Sequence, residues 1–140
     1  MTLLVCNLVF IWGNSMLPGE ISGKISDWVK SILEGILPGS GGGSTGSGLL
    51  RKLAHFTEFA VLGALLSWLF AMLQKKRIYP FFLGTAVACI DETIQRFVPD
   101  RGPAIRDVCI DSCGVLTGMM LLYLGHTWYQ KHFYRTLEDN

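Results

Sequence analysis

The chain has 140 residues, of which 50% are hydrophobic and only 16% are charged, and its formal net charge is +1. Together with a mean hydropathy of +0.38, this composition favours a single integral membrane domain over 1–140 and argues against a soluble protein. No basic run resembles a nucleic-acid-binding patch, so nucleic acid is not an expected partner.

The N-terminal segment, 1–17, is apolar apart from a polar interruption at Asn14 and Ser15. At about 1.5 Å per residue, a helix of this length covers about 25 Å, which is short but feasible for a membrane span. A signal peptide is the alternative, but no basic residue precedes the apolar run and no Ala-x-Ala cleavage site follows it. We therefore predict a retained first transmembrane helix.

The next segment, 21–37, has the pattern of an amphipathic helix. One face is polar, which makes the segment too polar to span, so we predict that it lies along the membrane interface. A helix packed on the bundle without lipid contact is the alternative, and the pattern does not separate the two. The Gly/Ser-rich stretch 39–48 then predicts a flexible linker. The apolar residues at helical spacing are Ile21, Ile25, Trp28, Val29, Ile32, Leu33 and Ile36.

Three further apolar segments predict transmembrane helices. The loop Lys75-Lys76-Arg77 has three basic residues and no acid, which favours the cytoplasmic side and therefore predicts that both termini are cytoplasmic. The prolines of the connection 99–103 end the helices on either side of it. The expected fold is all-α, an integral membrane bundle of four transmembrane helices plus one interfacial amphipathic helix. The three later spans are 53–73, 78–98 and 104–125.

All four cysteines fall in apolar segments, and none of their spacings matches a zinc site. We expect them to be buried free thiols rather than a disulfide. They are Cys6, Cys89, Cys109 and Cys113.

Ionisable residues inside the predicted spans are the main functional signal. Such a group near a bilayer centre costs roughly 2.5–3.5 kcal/mol, so it is retained for a reason or neutralised by a partner. Counted from the span ends, the polar residues of three spans lie within about 11 Å of one surface, and spacings of three or four residues align them on shared helix faces. This predicts one shallow polar cavity open to the outer face. The residues are His55, Glu58, Asp91, Glu92, Gln95, Asp107 and Asp111.

Two glycines continue the face below Asp111, at Gly114 and Gly118. This spacing lets a neighbouring helix backbone approach closely, so we expect both glycines to serve helix packing.

Structural ion pairs are the alternative explanation of the charged residues. Buried ion pairs rarely stabilise a protein relative to apolar packing, because desolvation consumes the Coulomb gain. A functional site is therefore the favoured interpretation. The bases that could neutralise the acids are Arg51, Lys52, Arg96, Arg101 and Arg106.

Three sequence blocks resemble the signature blocks of the VanZ-like membrane proteins. They are RKLAHFTEFAVLG at 51–63, DETIQRFVPDR at 91–101 and RDVCIDSCGVLTG at 106–118. The likeness covers 14–118 and departs at two positions, where Asp100 replaces a common Gly and Asp111 replaces a frequent Asn. The acid at Asp111 counts against any scheme that needs a neutral amide donor there.

The resemblance implies a multi-pass protein of the bacterial cytoplasmic membrane. The founding member confers teicoplanin resistance, and the family supplies motif positions without assigned catalytic roles. The expected function is therefore a role in glycopeptide (teicoplanin) resistance or in the cell envelope, with an outward-facing cavity that acts on or binds the headgroup of a lipid-linked envelope substrate.

Three classes of function stay open. In an intramembrane enzyme, Asp91 or Glu92 would be the general base and His55 its acid/base partner, with Glu58 beside them. A non-catalytic binder of a lipopeptide drug or lipid headgroup would use the same cavity. A proton or ion pathway is disfavoured because the other halves of the spans are apolar. Candidate substrate-binding residues are Lys52, Gln95, Arg101, Arg106, Asp107 and Asp111.

The expected partner is a membrane lipid or lipid-linked envelope precursor, with a lipoglycopeptide as a further candidate. No cofactor is expected. A divalent metal is conceivable because the acids and His55 have suitable ligand chemistry. Against it, the spacing matches no dedicated metal motif, and the arginines could neutralise the acids instead.

Overall fold

The protein is all-helical in the residues that the computed structural model describes, which are 1–36, 45–99, 101–102 and 104–138, with the backbone alone at 33–34, 36, 45–47 and 133–138. Within these ranges there are five helices and no strand, which confirms the all-α prediction. They are α1 (Thr2–Ser15), α2 (Gly19–Ile36), α3 (Thr45–Met72), α4 (Tyr79–Gln95) and α5 (Ile105–Glu138).

The predicted linker 39–48 overlaps the start of α3. Its last residues, Thr45 to Gly48, form the first turn of that helix, and the rest of the linker lies outside the described residues. Extending an existing helix by one turn is far easier than starting a new one, so a long apolar helix can take in a Gly/Ser-rich turn.

A sharp bend separates α1 from α2, whose axes differ in direction by 108°. Pro18 lies in the bend, where its missing N–H and fixed φ oppose a continuous helix. The backbone N–H of Gly19 donates to the carbonyl of Pro99 at 3.3 Å. This hydrogen bond ties the bend to the connection between α4 and α5.

Helix α2 turns its apolar face outward, whereas Ser22 on its other side is buried. This exposed apolar stripe along a helix that also carries charged residues is the arrangement expected of an amphipathic helix at a membrane surface. The exposed apolar residues are Ile21, Ile25, Trp28, Val29 and Ile32.

Two helical segments are individually long and apolar enough to cross a membrane, Gly48–Met72 and Ile105–His132. The bent pair α1–α2 passes the same test when taken together, which brings the number to three. Helix α1 has 14 residues and α4 has 17, so they cover only about 21 and 26 Å against a hydrocarbon core of about 30 Å. By length and composition, two or three helical units within the described residues could therefore span a membrane, and the predicted four spans are not confirmed.

Helices α3 and α5 pack backbone against backbone through glycines. A Cβ added at Gly63 would overlap the main chain of Val115, and one added at Gly118 would overlap the carbonyl of Ala60. Gly114 sits in the same way against the backbone of α3, one turn earlier on α5. Small residues permit this close approach of membrane helices, and van der Waals packing then stabilises the pair.

The apolar core joins α1, α3, α4 and α5 beside these glycine contacts, and we call this region the apolar half. It consists of Ile11, Phe59, Leu62, Leu66, Val87, Ala88 and Val115.

The four cysteines are free, as expected, but they are exposed. The prediction that they are buried is therefore wrong. In a helix whose outer side faces lipid, an apolar residue need not point into the core, so apolar surroundings in the sequence do not imply burial.

Candidate functional site

Polar side chains are buried together where the C-terminal ends of α1 and α4 meet the N-terminal parts of α3 and α5, and we call this region the polar end. Hydrogen bonds across it join α1 to both α3 and α4. The buried polar residues in this region are Ser15, His55, Glu58, Asp91, Glu92, Gln95 and Asp111.

Asp91 lies at the centre of the polar end and is 0% exposed. Its Oδ2 accepts one hydrogen bond from Ser15 Oγ at 2.8 Å and a second from Gln95 Nε2 at 2.8 Å. Gln95 follows Asp91 by one helical turn, which places both side chains on one face of α4. The carboxylate is therefore held in one orientation, while its Oδ1 is buried without a hydrogen-bond partner among the described residues.

Two further carboxylates show the same one-sided arrangement. Glu58 Oε1 accepts from Asn14 Nδ2 at 2.9 Å, and Glu92 Oε2 accepts from the backbone N–H of Ala104 at 2.8 Å. The second oxygen of each, Oε2 of Glu58 and Oε1 of Glu92, is buried and has no partner in the described part of the chain. Buried polar atoms are satisfied in the great majority of cases, so this repeated pattern is unusual.

His55 and Asp111 complete the cluster from α3 and α5. His55 Nδ1 lies 3.9 Å from Asp91 Oδ2, which is too long for a hydrogen bond. Asp111 is 1% exposed, and its Oδ1 has no partner within the described ranges. One candidate ligand atom from each of His55, Asp91 and Asp111 lies within 4.8 Å of the other two.

Arg101, in the connection between α4 and α5, reaches into the cluster but does not bind its acids. Its Nη1 and Nη2 donate to the backbone carbonyls of Ser15 and Asn14, each at 3.4 Å. These carbonyls end α1, where a cation is favourable. Burial and the nearby Arg51 lower the pKa of the Arg101 guanidinium, although an arginine in a protein stays protonated.

A narrow cleft opens at the polar end, with half-buried charged residues at its mouth and the buried acids below. Its volume is about 10 Å³, which is room for about one water molecule. At the mouth, Lys52 Nζ lies 3.8 Å from Asp107 Oδ1. The lining residues are Arg51, Lys52, His55, Glu92, Gln95, Asp107, Ile110 and Asp111.

Arg106 is the predicted site residue that the structure does not bring into the cluster. Its side chain is exposed, and it is not among the residues that line the cleft. Arg96, one of the bases considered for ion pairing, is exposed as well. Among the described side chains, Lys52 and Asp107 form an ion pair at the polar end, and His55 with Asp91 is one only when the imidazole is protonated, so a set of matched ion pairs does not account for the buried acids.

Asn14 and Ser15 belong to the cluster, although the sequence did not place them among the site residues. Their hydrogen bonds to Glu58 and Asp91 make the end of α1 a wall of the site. The sequence feature that could have identified them is their interruption of the otherwise apolar segment 1–17. Gly114 and Gly118 lie against α3 below the cluster and hold α5 close to that helix.

Helices long and apolar enough to span a membrane, in a bundle that is helical throughout the described residues, are the features of a helical membrane protein. The chain belongs to the VanZ/LLP1 family, whose family model matches residues 2–126. The match takes in every residue of the polar end. No curated protein and no solved structure matches the chain.

Proposed function

We propose that this protein, in the bacterial cytoplasmic membrane, binds the anionic headgroup of a lipid-linked envelope molecule at the mouth of the cleft. The observation that carries the proposal is the pair Arg51 and Lys52, half-buried and adjacent on α3, where both line the cleft above the buried acids. Two neighbouring cations can bind a phosphate through charge-assisted hydrogen bonds. A whole headgroup does not fit into about 10 Å³, so it contacts the mouth while the space below takes one water-sized group.

The buried acids support a functional site over a purely structural one. Glu58, Asp91 and Glu92 each keep one buried oxygen without a partner among the described residues. An unsatisfied buried polar group destabilises a protein by about 1–3 kcal/mol, and more when it is charged. A bundle that served structure alone would do better with apolar side chains there.

A catalytic role is the second candidate, and the pair of His55 and Asp91 beside a water-sized cavity favours it. His55 Nδ1 and Asp91 Oδ2 lie 3.9 Å apart, and catalytic hydrogen bonds that are long without substrate often tighten when the substrate binds. Asp91 or Glu92 would then take a proton from a water or substrate hydroxyl, with His55 as the acid/base partner. A role in teicoplanin resistance would follow in either case if the headgroup belonged to an envelope precursor or to the drug.

A proton or ion pathway has less support, because the apolar half lies beside the cluster and offers few polar side chains to continue such a path.

The proposed arrangement in the membrane has four spans, with α1 and α4 as short ones and α2 lying at the outer surface. Both termini and the loop at 75–77 are then cytoplasmic. In a variant without native cysteines, Gly102→Cys should react with an impermeant maleimide on intact cells, and Lys76→Cys should react only after lysis. Both positions are exposed, so accessibility within the fold does not bias the comparison, and the opposite labelling pattern would invert the orientation.

The headgroup proposal is tested by removing the two cations at the mouth. The double variant Arg51→Gln/Lys52→Gln should bind a polyprenyl phosphate lipid in phosphatidylcholine nanodiscs at least about tenfold more weakly, since hydrogen bonds to charged groups contribute about 1.5–3 kcal/mol each. The matched control is Lys75→Gln/Lys76→Gln, which removes two adjacent exposed charges from the opposite end. Equal affinity of the two double variants, or no preference of the wild type for the phosphate lipid over phosphatidylcholine, would refute the proposal.

Asp91→Asn separates catalysis from binding. A positioned general base contributes about 10²–10⁴-fold in rate, so a catalytic Asp91 predicts nearly complete loss of the cellular phenotype while the lipid is still bound. Binding alone predicts a phenotype that declines in parallel with affinity.

A further inference from the structure

Three buried side chains with metal-ligand chemistry converge from three different helices. His55 on α3, Asp91 on α4 and Asp111 on α5 are 8%, 0% and 1% exposed. One ligand atom from each lies within 4.8 Å of the other two. His55 Nδ1, Asp91 Oδ1 and Asp111 Oδ1 are all buried, and none has a hydrogen-bond partner among the described residues.

We propose that His55, Asp91 and Asp111 bind one divalent cation of the zinc or manganese type. An imidazole nitrogen with two carboxylate oxygens suits these ions better than calcium or magnesium, which prefer all-oxygen sites. Ligand atoms on a tetrahedral zinc ion lie about 3.4 Å apart, given bonds of about 2.0–2.1 Å. The present separations of up to 4.8 Å therefore close onto an ion through small side-chain rotations.

The number of acids at the polar end supports a bound cation, because a nearby positive charge favours the ionised form of a buried carboxyl group. Four carboxylates are buried there, those of Glu58, Asp91, Glu92 and Asp111. Arg101 reaches into the cluster, and its terminal nitrogens donate to backbone carbonyls. Buried charges in proteins are paired or coordinate metals, and a divalent ion supplies two positive charges where the described side chains leave acids unpaired.

The surroundings of Asp91 resemble those of a metal ligand. Ser15 and Gln95 hold its Oδ2 at 2.8 Å each, and the same Oδ2 lies 3.9 Å from His55 Nδ1, so these hydrogen bonds fix the carboxylate beside His55. Hydrogen bonds of this kind orient metal ligands and raise their affinity. The adjoining cleft, lined by His55 and Asp111 with a volume of about 10 Å³, has room for about one water molecule as a further ligand.

This inference departs from the expectation of no cofactor, and it goes beyond the proposed function because no lipid takes part in ion binding. The three ligands are far apart in sequence and come from separate helices, so no local spacing motif in the sequence identifies them. Asp111 is also one of the two departures from the VanZ-like pattern, so the site belongs to chains that carry an acid at that position.

The first test uses the unmodified full chain in nanodiscs of phosphatidylcholine alone, freed of metals with a chelator and then titrated with Zn²⁺. With ¹⁵N-labelled histidine, one equivalent of Zn²⁺ should shift the imidazole signals of His55 and leave those of His126 and His132 unchanged. His55→Gln assigns the resonance. An unshifted His55, or equal shifts at all three histidines, would overturn the inference.

The second test compares two acids one turn apart on α5. Asp111→Asn should weaken Zn²⁺ binding at least about tenfold, since even residues that only support metal ligands change affinity by about 10–100-fold. Asp107→Asn, which removes a half-buried acid at the mouth, should bind Zn²⁺ like the wild type. Equal affinities of the two variants would refute the ligand role of Asp111. If Asp111→Asn does not fold, the histidine titration of the unmodified chain decides the matter alone.

The same titration distinguishes this inference from the proposed function. Arg51→Gln/Lys52→Gln should keep Zn²⁺ binding while losing the phosphate lipid. Failure of lipid binding therefore leaves the ion site standing, and failure of Zn²⁺ binding leaves the headgroup proposal standing.

Discussion

The apolar half and the polar end of this bundle are packed on opposite principles. In the apolar half, α3 and α5 approach so closely that a single added Cβ at Gly63 or Gly118 meets backbone atoms. At the polar end, the same two helices carry His55, Glu58 and Asp111. Each of these side chains has a buried polar atom with no partner among the described residues. The apolar half thus contributes stability through close packing, whereas the polar end keeps ionisable groups out of water at a cost in stability.

The sharpest way to break this comparison is to separate the backbones in the apolar half. Gly118→Val forces a branched side chain against the carbonyl of Ala60, so we expect a loss of stability larger than about 3 kcal/mol, at the upper end for overpacking. The measurement is thermal unfolding in detergent, together with the amount of protein that accumulates in the membrane.

Gly125→Val is the matched control, because it lies seven residues later on α5 and an added Cβ there meets nothing within 4 Å. Its stability should stay within about 0.5 kcal/mol of the wild type, as for most surface substitutions. Similar losses in both variants would show that the helix, and not its contact with α3, determines the effect.

The sequence predicts different parts of this contrast in the two regions. The spacing of Gly114 and Gly118 indicates close helix packing, but their partners on α3 and the role of Gly63 depend on how the two helices cross. At the polar end, helical spacing and depth suggested that Asp91 and Asp111 lie near one another, because both follow from helix geometry alone.

The parts of the site that the sequence did not predict are those that depend on tertiary structure. Asn14 and Ser15 join the cluster because α1 ends beside α4 and the chain bends at Pro18. Arg106 faces away, since a difference of one residue turns a helical side chain by about 100°. The water-sized volume of the cleft depends on side-chain packing, which no pattern of residue types reveals.

A smaller effect should distinguish two serines, one in each region. Ser15 Oγ donates to Asp91 Oδ2 at 2.8 Å, whereas Ser67 Oγ is buried without a partner among the described residues. Ser15→Ala should lower the free energy of unfolding by about 1.5–3 kcal/mol, the usual contribution of a hydrogen bond to a charged group. Ser67→Ala should leave it unchanged or raise it slightly, because it removes an unsatisfied hydroxyl.

The serine comparison is read from unfolding of both variants under the same conditions. Equal losses would indicate that the hydroxyl of Ser67 finds a partner, such as a buried water, and would weaken the distinction between the two regions.

The smallest predicted effect has the opposite sign and concerns Asp111. Asp111→Asn replaces this buried acid, whose Oδ1 has no partner among the described residues, with an equally sized amide that cannot ionise, so at an alkaline pH that ionises the acid the metal-free protein should become more stable by about 1 kcal/mol. Asn is frequent at this position in the VanZ-like pattern, which supports the expectation that the variant folds.

Asp107→Asn is the control: it breaks only the half-exposed pair with Lys52, so its stability should fall by less than about 1 kcal/mol. Both variants are measured by thermal unfolding in the presence of a chelator. A gain at Asp111 together with weaker Zn²⁺ binding is the trade between stability and function that natural sites commonly show. If Asp111→Asn instead destabilises the metal-free protein more than Asp107→Asn does, the acid at Asp111 contributes to the fold, and the division between a stabilising half and a functional end does not hold at that residue.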